Sequence, residues 1–248
     1  IAAIDQLTRD AMAARISPAE GLRRLDEIEA LPRRFRLGVN LLGSSMLALG
    51  ICLVLRPSAS DAVAAAVFGA LVGLLRLAGR RQPALEVLTP VIAAFTVAAL
   101  STLAANADLG EPGIRAIVAS LVVFLPGATL TTAVLELGSG QTVSGSSRLV
   151  SGMVELALLA FGIVAGIQAV GLNEASAGSV ELLGPWAPGL GVAVFAAGVT
   201  LAFSAPRRAL PGLLVVLYAA WGAQLVVNAL LGGYLSALIG ATVLTLVA

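Results

Sequence analysis

The sequence predicts an all-α, polytopic helical membrane protein. Of the 248 residues, 58% are hydrophobic and only 12% are charged, and the mean hydropathy is +0.99. Apolar runs of about 20 residues, the length that crosses a bilayer core, recur from Leu37 to the end of the chain. These runs are continuous and do not alternate between apolar and polar residues, so the pattern favours helices over a membrane barrel.

Residues 1–36 are predicted to form a short cytoplasmic amphipathic helical hairpin. Apolar residues recur at helical spacing in residues 4–14, which predicts a first helix. Ser17 and Pro18 are the residue types of a helix start, and Glu20 follows three residues after the serine, so a second helix should begin there. No residue of the hairpin argues for a regulatory or partner-binding role.

Eight membrane spans are predicted after the hairpin. Most are close to the length that a bilayer core requires, and the second is short. Because the chain begins with isoleucine and ends inside an apolar run, we expect further residues at both ends. The predicted spans are residues 37–55, 62–77, 87–105, 114–134, 149–172, 186–203, 210–228 and 231–248.

The distribution of arginine predicts the orientation of the spans. All 15 basic residues are arginines. When the N-terminus is placed in the cytoplasm, only Arg56 and Arg115 fall on the outer side, and the outer connections carry acidic residues instead. Positive charge concentrates on the cytoplasmic side of membrane proteins, so we expect a multi-pass protein with its N-terminus inside.

The composition also excludes several kinds of chemistry. Histidine is absent and Cys52 is the single cysteine, so no disulfide within the chain and no thiolate metal cage can form. We expect no metal, no cofactor and no nucleic-acid partner. A membrane-embedded enzyme would need a nucleophile with a base, or a cluster of carboxylates. Neither is evident in the sequence, so we expect no enzymatic activity.

Polar residues concentrate in the fourth and fifth predicted spans. Pro126 and Gly127 should kink or break the fourth span, because proline lacks a backbone donor and glycine loosens the chain. A second half-helix would then present its amide end to the gap, as discontinuous helices of transporters do. Thr129, Thr132 and Glu136 lie at i, i+3 and i+7, on one face of that half-helix.

The next span carries a second polar face. Ser144, Ser147, Arg148, Ser151 and Glu155 fall on one side of a helix that begins by residue 143. Arg148 and Glu155 are two turns apart, about 10 Å. An acidic side chain inside the hydrocarbon is costly, so Glu155 should be protonated, paired with Arg148 or exposed to water. Such a carboxyl group can exchange a proton as its access changes.

Other interpretations of the polar residues stay open. The proline can produce a simple kink, with threonines bonded back to their own helix, and Glu136 and Arg148 can be interfacial. The chain would then be a non-transporting scaffold or a half-subunit. Weaker candidates for polar sites lie in the third and seventh spans; they are Thr89, Pro90, Thr96, Gln224 and Asn228.

The polar segment resembles the bacterial threonine/serine exporter family. The resemblance rests on Leu-Pro-Gly-Ala-Thr-Leu-Thr-Thr-Ala at residues 125–133, followed by Glu-Leu-x-x-Gly and by Ser-Gly-x-x-Arg-Leu. It implies about ten spans in two five-helix halves, sometimes in separate chains, and proton-driven efflux of small hydroxy amino acids. Residues 37–172 would be the first half, and residues 173–248 part of a second half, which five spans per half would invert if the halves are related.

These expectations combine into one prediction, a secondary exporter of threonine and serine in the bacterial plasma (inner) membrane. Its partners would be the amino acid, protons and the bilayer; association with a second copy or with a companion membrane subunit stays open. Glu136 or Glu155 would carry the proton or meet the ammonium group, and Arg148 would pair with one of them. The residues expected to bind substrate are Pro126, Gly127, Thr129, Thr132, Ser144, Ser147 and Arg148.

Overall fold

The computed structural model of the chain describes residues 2–13, 15–29, 37–79, 83–107, 113–171, 182–203 and 208–231. Across these ranges the fold is all-helical, as predicted, and the only extended pairing is an antiparallel bridge between Ser58 and Leu182. A 3-10 turn, Val122–Phe124, follows α6. The helices are α1 (Ala2–Met12), α2 (Pro18–Glu29), α3 (Leu37–Val54), α4 (Ala59–Gly79), α5 (Pro83–Asn106), α6 (Ile114–Leu121), α7 (Gly127–Gly138), α8 (Thr142–Val170), α9 (Ala187–Ala202) and α10 (Ala209–Leu231).

The predicted start of α2 is confirmed. The helix begins at Pro18, and the Glu20 amide donates a hydrogen bond of 3.3 Å to the Ser17 hydroxyl, which caps the helix. The Glu20 carboxylate accepts hydrogen bonds from Arg23 at 2.9 Å and from Arg24 at 3.0 Å. These bonds lower the pKa of the Glu20 carboxyl below its ordinary value, and the bond from Arg23 has the larger effect.

The predicted count of eight spans is not confirmed. Four helices are long and apolar enough to cross a membrane, or five when the bent pair α6–α7 is counted as one span. Helices α3 and α9 are apolar but shorter. Apart from Leu231, the predicted span 231–248 lies outside the described residues. The four full-length candidates are Ala59–Gly79, Leu88–Asn106, Thr142–Val170 and Ala209–Ala229.

Glycines set the closest helix contacts. Gly50 and Gly198 lie where α3 and α9 cross, and a methyl group added at either would overlap the backbone of the other helix. Gly69 and Gly73 of α4 make a similarly close approach, because both abut Ser44 of α3. Lipid tails are as apolar as leucine, so helices in a membrane associate through such backbone approach rather than through the hydrophobic effect.

Helix α8 also packs closely on its neighbours through glycines along most of its length. Its buried positions form one stripe, which faces α7 at its first part and α5 at its second; they are Gly145, Gly152, Leu159, Gly162 and Gly166. A side chain at Gly145 would press on the backbone of Ala133, and one at Gly166 on the backbone of Phe95. The stripe therefore fixes both the α7–α8 hairpin and the contact of α8 with α5.

A buried carboxylate ties together one end of the bundle. Asp61 is 2% exposed and accepts hydrogen bonds from the amides of Ser58 at 3.1 Å and Gly113 at 2.6 Å. In return, the Asp61 amide donates a hydrogen bond to the Ser58 hydroxyl, and this pair of bonds forms a capping box at the start of α4. Arg115 lies 3.8 Å from the same carboxylate. We call this part of the molecule the Asp61 end; it includes Pro57, whose carbonyl accepts a 2.8 Å hydrogen bond from Leu183.

We predict that Asp61→Asn destabilises the protein by about 1–3 kcal/mol, because one buried amide loses its acceptor and Arg115 loses its counter-charge. The thermal unfolding midpoint of the full chain in detergent should fall by several degrees. Asp26→Asn, which changes an exposed carboxylate of α2, is the matched control. Equal midpoints for the two variants would contradict this role of Asp61.

Candidate functional site

The helix of the fourth predicted span is interrupted at Pro126, as the sequence predicts. Leu125 has an extended backbone, with φ −67° and ψ 125°, which is the conformation that a following proline favours. Pro126 has φ −78° and ψ 45° and precedes α7. The segments on the two sides of the break are bent by 60° relative to each other. The bend therefore turns one apolar span into two half-helices.

The break leaves backbone amides without partners inside the helix. The first helical bond of α7 runs from the Leu130 amide to the Pro126 carbonyl at 2.9 Å. The Gly127 amide donates to Leu125 at 2.8 Å, so the amides of Ala128 and Thr129 remain without an intrahelical acceptor. The helix dipole gives this end a partial positive charge. Carboxylate groups are stabilised at such an end.

One side of the break is packed and the other is open. Pro126 is buried, and its Cβ lies 3.8 Å from the position where a side chain at Gly152 of α8 would begin. Gly127 is exposed, and no atom lies within 4 Å of the position that its side chain would occupy. Space is thus available beside the free amides of α7.

The threonines of α7 divide into two groups. The Thr131 hydroxyl donates to the Gly127 carbonyl at 2.8 Å, which is the back-bonding expected of threonine in a membrane helix. Thr129 and Thr132 are half-buried, and no hydrogen bond of their hydroxyls falls within the described part of the chain. The Thr129 and Thr132 hydroxyls are therefore available to a ligand. The Thr131 hydroxyl is bonded to its own helix, and Thr131 was not among the predicted site residues.

Glu136 lies at the centre of a polar network near the α7–α8 turn. Its carboxylate accepts a 2.6 Å hydrogen bond from the Ser144 hydroxyl and bonds of 3.0 and 3.2 Å from Arg148 Nε. Glu136 is ten residues from Pro126, about 15 Å at helical rise. One small ligand therefore cannot touch both the break and this network. Ser147 is exposed on α8, and the described residues offer its hydroxyl no partner.

Glu155 is separate from this network. Arg148 pairs with Glu136 rather than with Glu155, and the Glu155 side chain is exposed and has no ion pair among the described residues. Its position on α8 is three residues beyond Gly152, which faces Pro126 and Leu130. Because three residues rise about 4.5 Å, Glu155 lies close to the level of the break.

The weaker candidates of the third span form no comparable site. Helix α5 continues through Pro90 without a break, and the Thr96 hydroxyl donates to the Ile92 carbonyl of its own helix at 2.7 Å. No group of three or more metal-binding side chains occurs in the described ranges. Gln224 and Asn228 of α10 line a cavity at the Asp61 end, far along the chain from the break.

Together, the apolar helices, the glycine contacts and the broken span define a multi-pass helical membrane protein that contains a discontinuous helix. The model of the threonine/serine exporter family, ThrE, matches residues 1–170. The chain therefore belongs to the threonine/serine exporter family. No curated protein and no solved structure matches it. The matched region ends at the last residue of α8 and contains both the break and the Glu136 network.

We predict that Glu136 and Arg148 stabilise the α7–α8 hairpin as a pair, with a coupling of about 1 kcal/mol, because the arginine is 51% exposed and water screens the contact. Glu136→Gln, Arg148→Gln and the double variant give this coupling from thermal unfolding of the full chain in detergent. The same cycle with Glu155 in place of Glu136 is the control and should give no coupling. Coupling of Arg148 to Glu155 alone would contradict the observed pairing.

Proposed function

We propose that this chain exports small neutral hydroxy amino acids, threonine and serine, across the bacterial plasma membrane in exchange for protons. Family membership and the broken helix support this proposal. In the proposed orientation the N-terminus is cytoplasmic, which accords with the arginine distribution. The chain would act without a cofactor and without a catalytic step. The single observation that carries the mechanism is the break at Pro126 with free amides beside open space.

In this proposal the substrate carboxylate binds at the start of α7. The amides of Ala128 and Thr129 would donate to it, and the positive end of the helix dipole would offset its charge. The hydroxyls of Thr129 and Thr132, one turn apart on α7, would bond the substrate hydroxyl or ammonium group. Gly127 leaves the room that the substrate needs.

Glu155 is the proposed proton carrier. It lies near the level of the break, and no arginine of the described residues neutralises it. Proton uptake from the outer side and release to the inner side would accompany outward movement of the amino acid.

The Glu136 network has a different proposed role. Because Ser144 and Arg148 already satisfy the Glu136 carboxylate, this group would hold the α7–α8 hairpin closed and position the amide end of α7. The sequence-based role of Ser144, Ser147 and Arg148 as substrate ligands would then apply only at the cytoplasmic entrance, where their exposed side chains can meet an incoming amino acid.

The exposed flank of α8 favours a companion for this chain. Only 22% of the most apolar stretch of α8 is buried, and Glu155 is part of the exposed surface. An acidic side chain that faced lipid would be costly. A second copy or a companion membrane subunit would therefore cover this flank, so the active exporter would contain more than the residues described.

We predict that Glu155→Gln abolishes proton-driven export, because glutamine cannot carry a proton. Proteoliposomes that contain the full chain are loaded with labelled threonine, and the release of threonine is measured under an imposed proton gradient. Glu155→Gln should reduce gradient-driven release at least tenfold but retain exchange of internal for external threonine. Glu136→Gln is the matched control and should retain coupling to the gradient. Normal gradient-driven release by Glu155→Gln would show that the proton role is wrong.

A further inference from the structure

A cavity lies at the Asp61 end, apart from the broken helix. Its volume is about 460 Å³, and it lies between the end of α3, the start of α9 and the second half of α10. This volume is within the range of small-molecule sites. The lining side chains that matter for recognition are Arg56, Trp221, Gln224 and Asn228.

Arg56 is an unusual residue of the α3–α4 connection. Its backbone has φ 54°, and it is the only non-glycine residue with positive φ in the described ranges. A left-handed backbone is unfavourable for a long side chain, and such strain clusters at functional sites. Arg115, at the same end of the bundle, lies 3.8 Å from Asp61, whereas no carboxylate of the described residues pairs with Arg56.

Helix α10 presents the polar part of the cavity. Trp221, Gln224 and Asn228 are at i, i+3 and i+7 and therefore share one face. Gln224 and Asn228 are exposed, and no hydrogen bond of their amide groups falls within the described chain. Amide side chains in so apolar a helix are costly in a membrane unless a partner or water reaches them.

The aromatic wall of the cavity is held in place. Tyr218 packs edge-to-face on Trp221, with ring centroids 6.1 Å apart and planes at 75°. The Tyr218 hydroxyl donates to the Gly189 carbonyl of α9 at 2.8 Å. The face of a tryptophan ring attracts a cationic group. The guanidinium group of arginine can bind a carboxylate through two parallel hydrogen bonds. The cavity thus offers separate positions for the two charges of a zwitterion.

We propose that this cavity is a second binding site for a small α-amino acid. Arg56 takes the carboxylate, the ring of Trp221 contacts the ammonium group, and Gln224 and Asn228 bond a polar side chain such as a hydroxyl. The identity of the ligand rests on the proposed function. In the proposed orientation the cavity lies on the outer side, where it would hold an amino acid that has just been released or is present outside the cell.

Tryptophan fluorescence of the purified full chain in detergent tests this proposal. The chain has two tryptophans, so Trp186→Phe leaves Trp221 as the only reporter. Titration with L-threonine should change the Trp221 emission in a saturable way. Threonine amide, which lacks the carboxylate, should bind at least tenfold more weakly. Equal affinity for the two ligands, or no saturable change with threonine, would overturn the proposal.

Variants then locate the contacts. In the Trp186→Phe background, Arg56→Gln should raise the threonine Kd at least tenfold, and Arg56→Lys should restore part of the affinity. Asn228→Leu, which does not alter the strained connection, should also weaken binding several-fold. Arg208→Gln, an exposed arginine just before α10, is the matched control and should leave Kd unchanged. An unaltered Kd in both Arg56→Gln and Asn228→Leu would overturn the site.

A separate measurement of threonine export in proteoliposomes distinguishes the proposed exporter function from the proposed second site. Gradient-driven export without any Trp221 response would remove the second site and leave the proposed function intact. A Trp221 response without export would support the second site while the exporter proposal fails. Loss of both would remove the amino acid as the ligand of this cavity.

Discussion

Backbone polar groups inside a bilayer must find partners, and this constraint explains the arrangement around Pro126. Hydrocarbon offers no hydrogen bonds, so irregular backbone persists at membrane depth only where protein or water satisfies it. Proline alone does not produce the break, because Pro90 lies within the continuous helix α5. At Pro126 the chain adds a 3-10 turn before the proline and a glycine after it, and two amides of α7 remain free. Those amides are the physical reason to place a ligand there.

Small residues and one buried carboxylate hold the surrounding helices. The glycine stripe of α8 brings α7 and α5 to backbone contact, which fixes the packed side of the break, while Gly127 keeps the other side open. At the Asp61 end, two backbone amides donate hydrogen bonds to one carboxylate and the Arg115 guanidinium pairs with it, which joins the starts of α4 and α6. The half-helix that carries the free amides is thus packed against α8, whereas Glu155 lies on the exposed flank of α8.

Local features were predictable from the sequence, and contacts distant along the chain were not. Proline chemistry predicted the break, and the residue types at Ser17, Pro18 and Glu20 predicted the helix cap. Periodicity placed Arg148 and Glu155 on one face but could not show that the α7–α8 turn brings Glu136 closer. It also could not reveal the Asp61 network, which joins residues 52 positions apart, or the cavity where Arg56 meets α10. The eight-span count rested on apolar runs and on the alternation of arginine, but two of those runs form α3 and α9, helices of 18 and 16 residues that are shorter than the four full-length candidates.

The accessibility of residue 129 to water and substrate tests the central claim most directly. A single cysteine is introduced by Thr129→Cys in a Cys52→Ala background, and its modification by a membrane-impermeant thiol reagent is measured in proteoliposomes with and without threonine. A wet substrate pocket at the break predicts rapid modification that saturating threonine slows several-fold, while threonine amide slows it little. An inert cysteine, or a rate that threonine does not change, would contradict a substrate site at the broken helix.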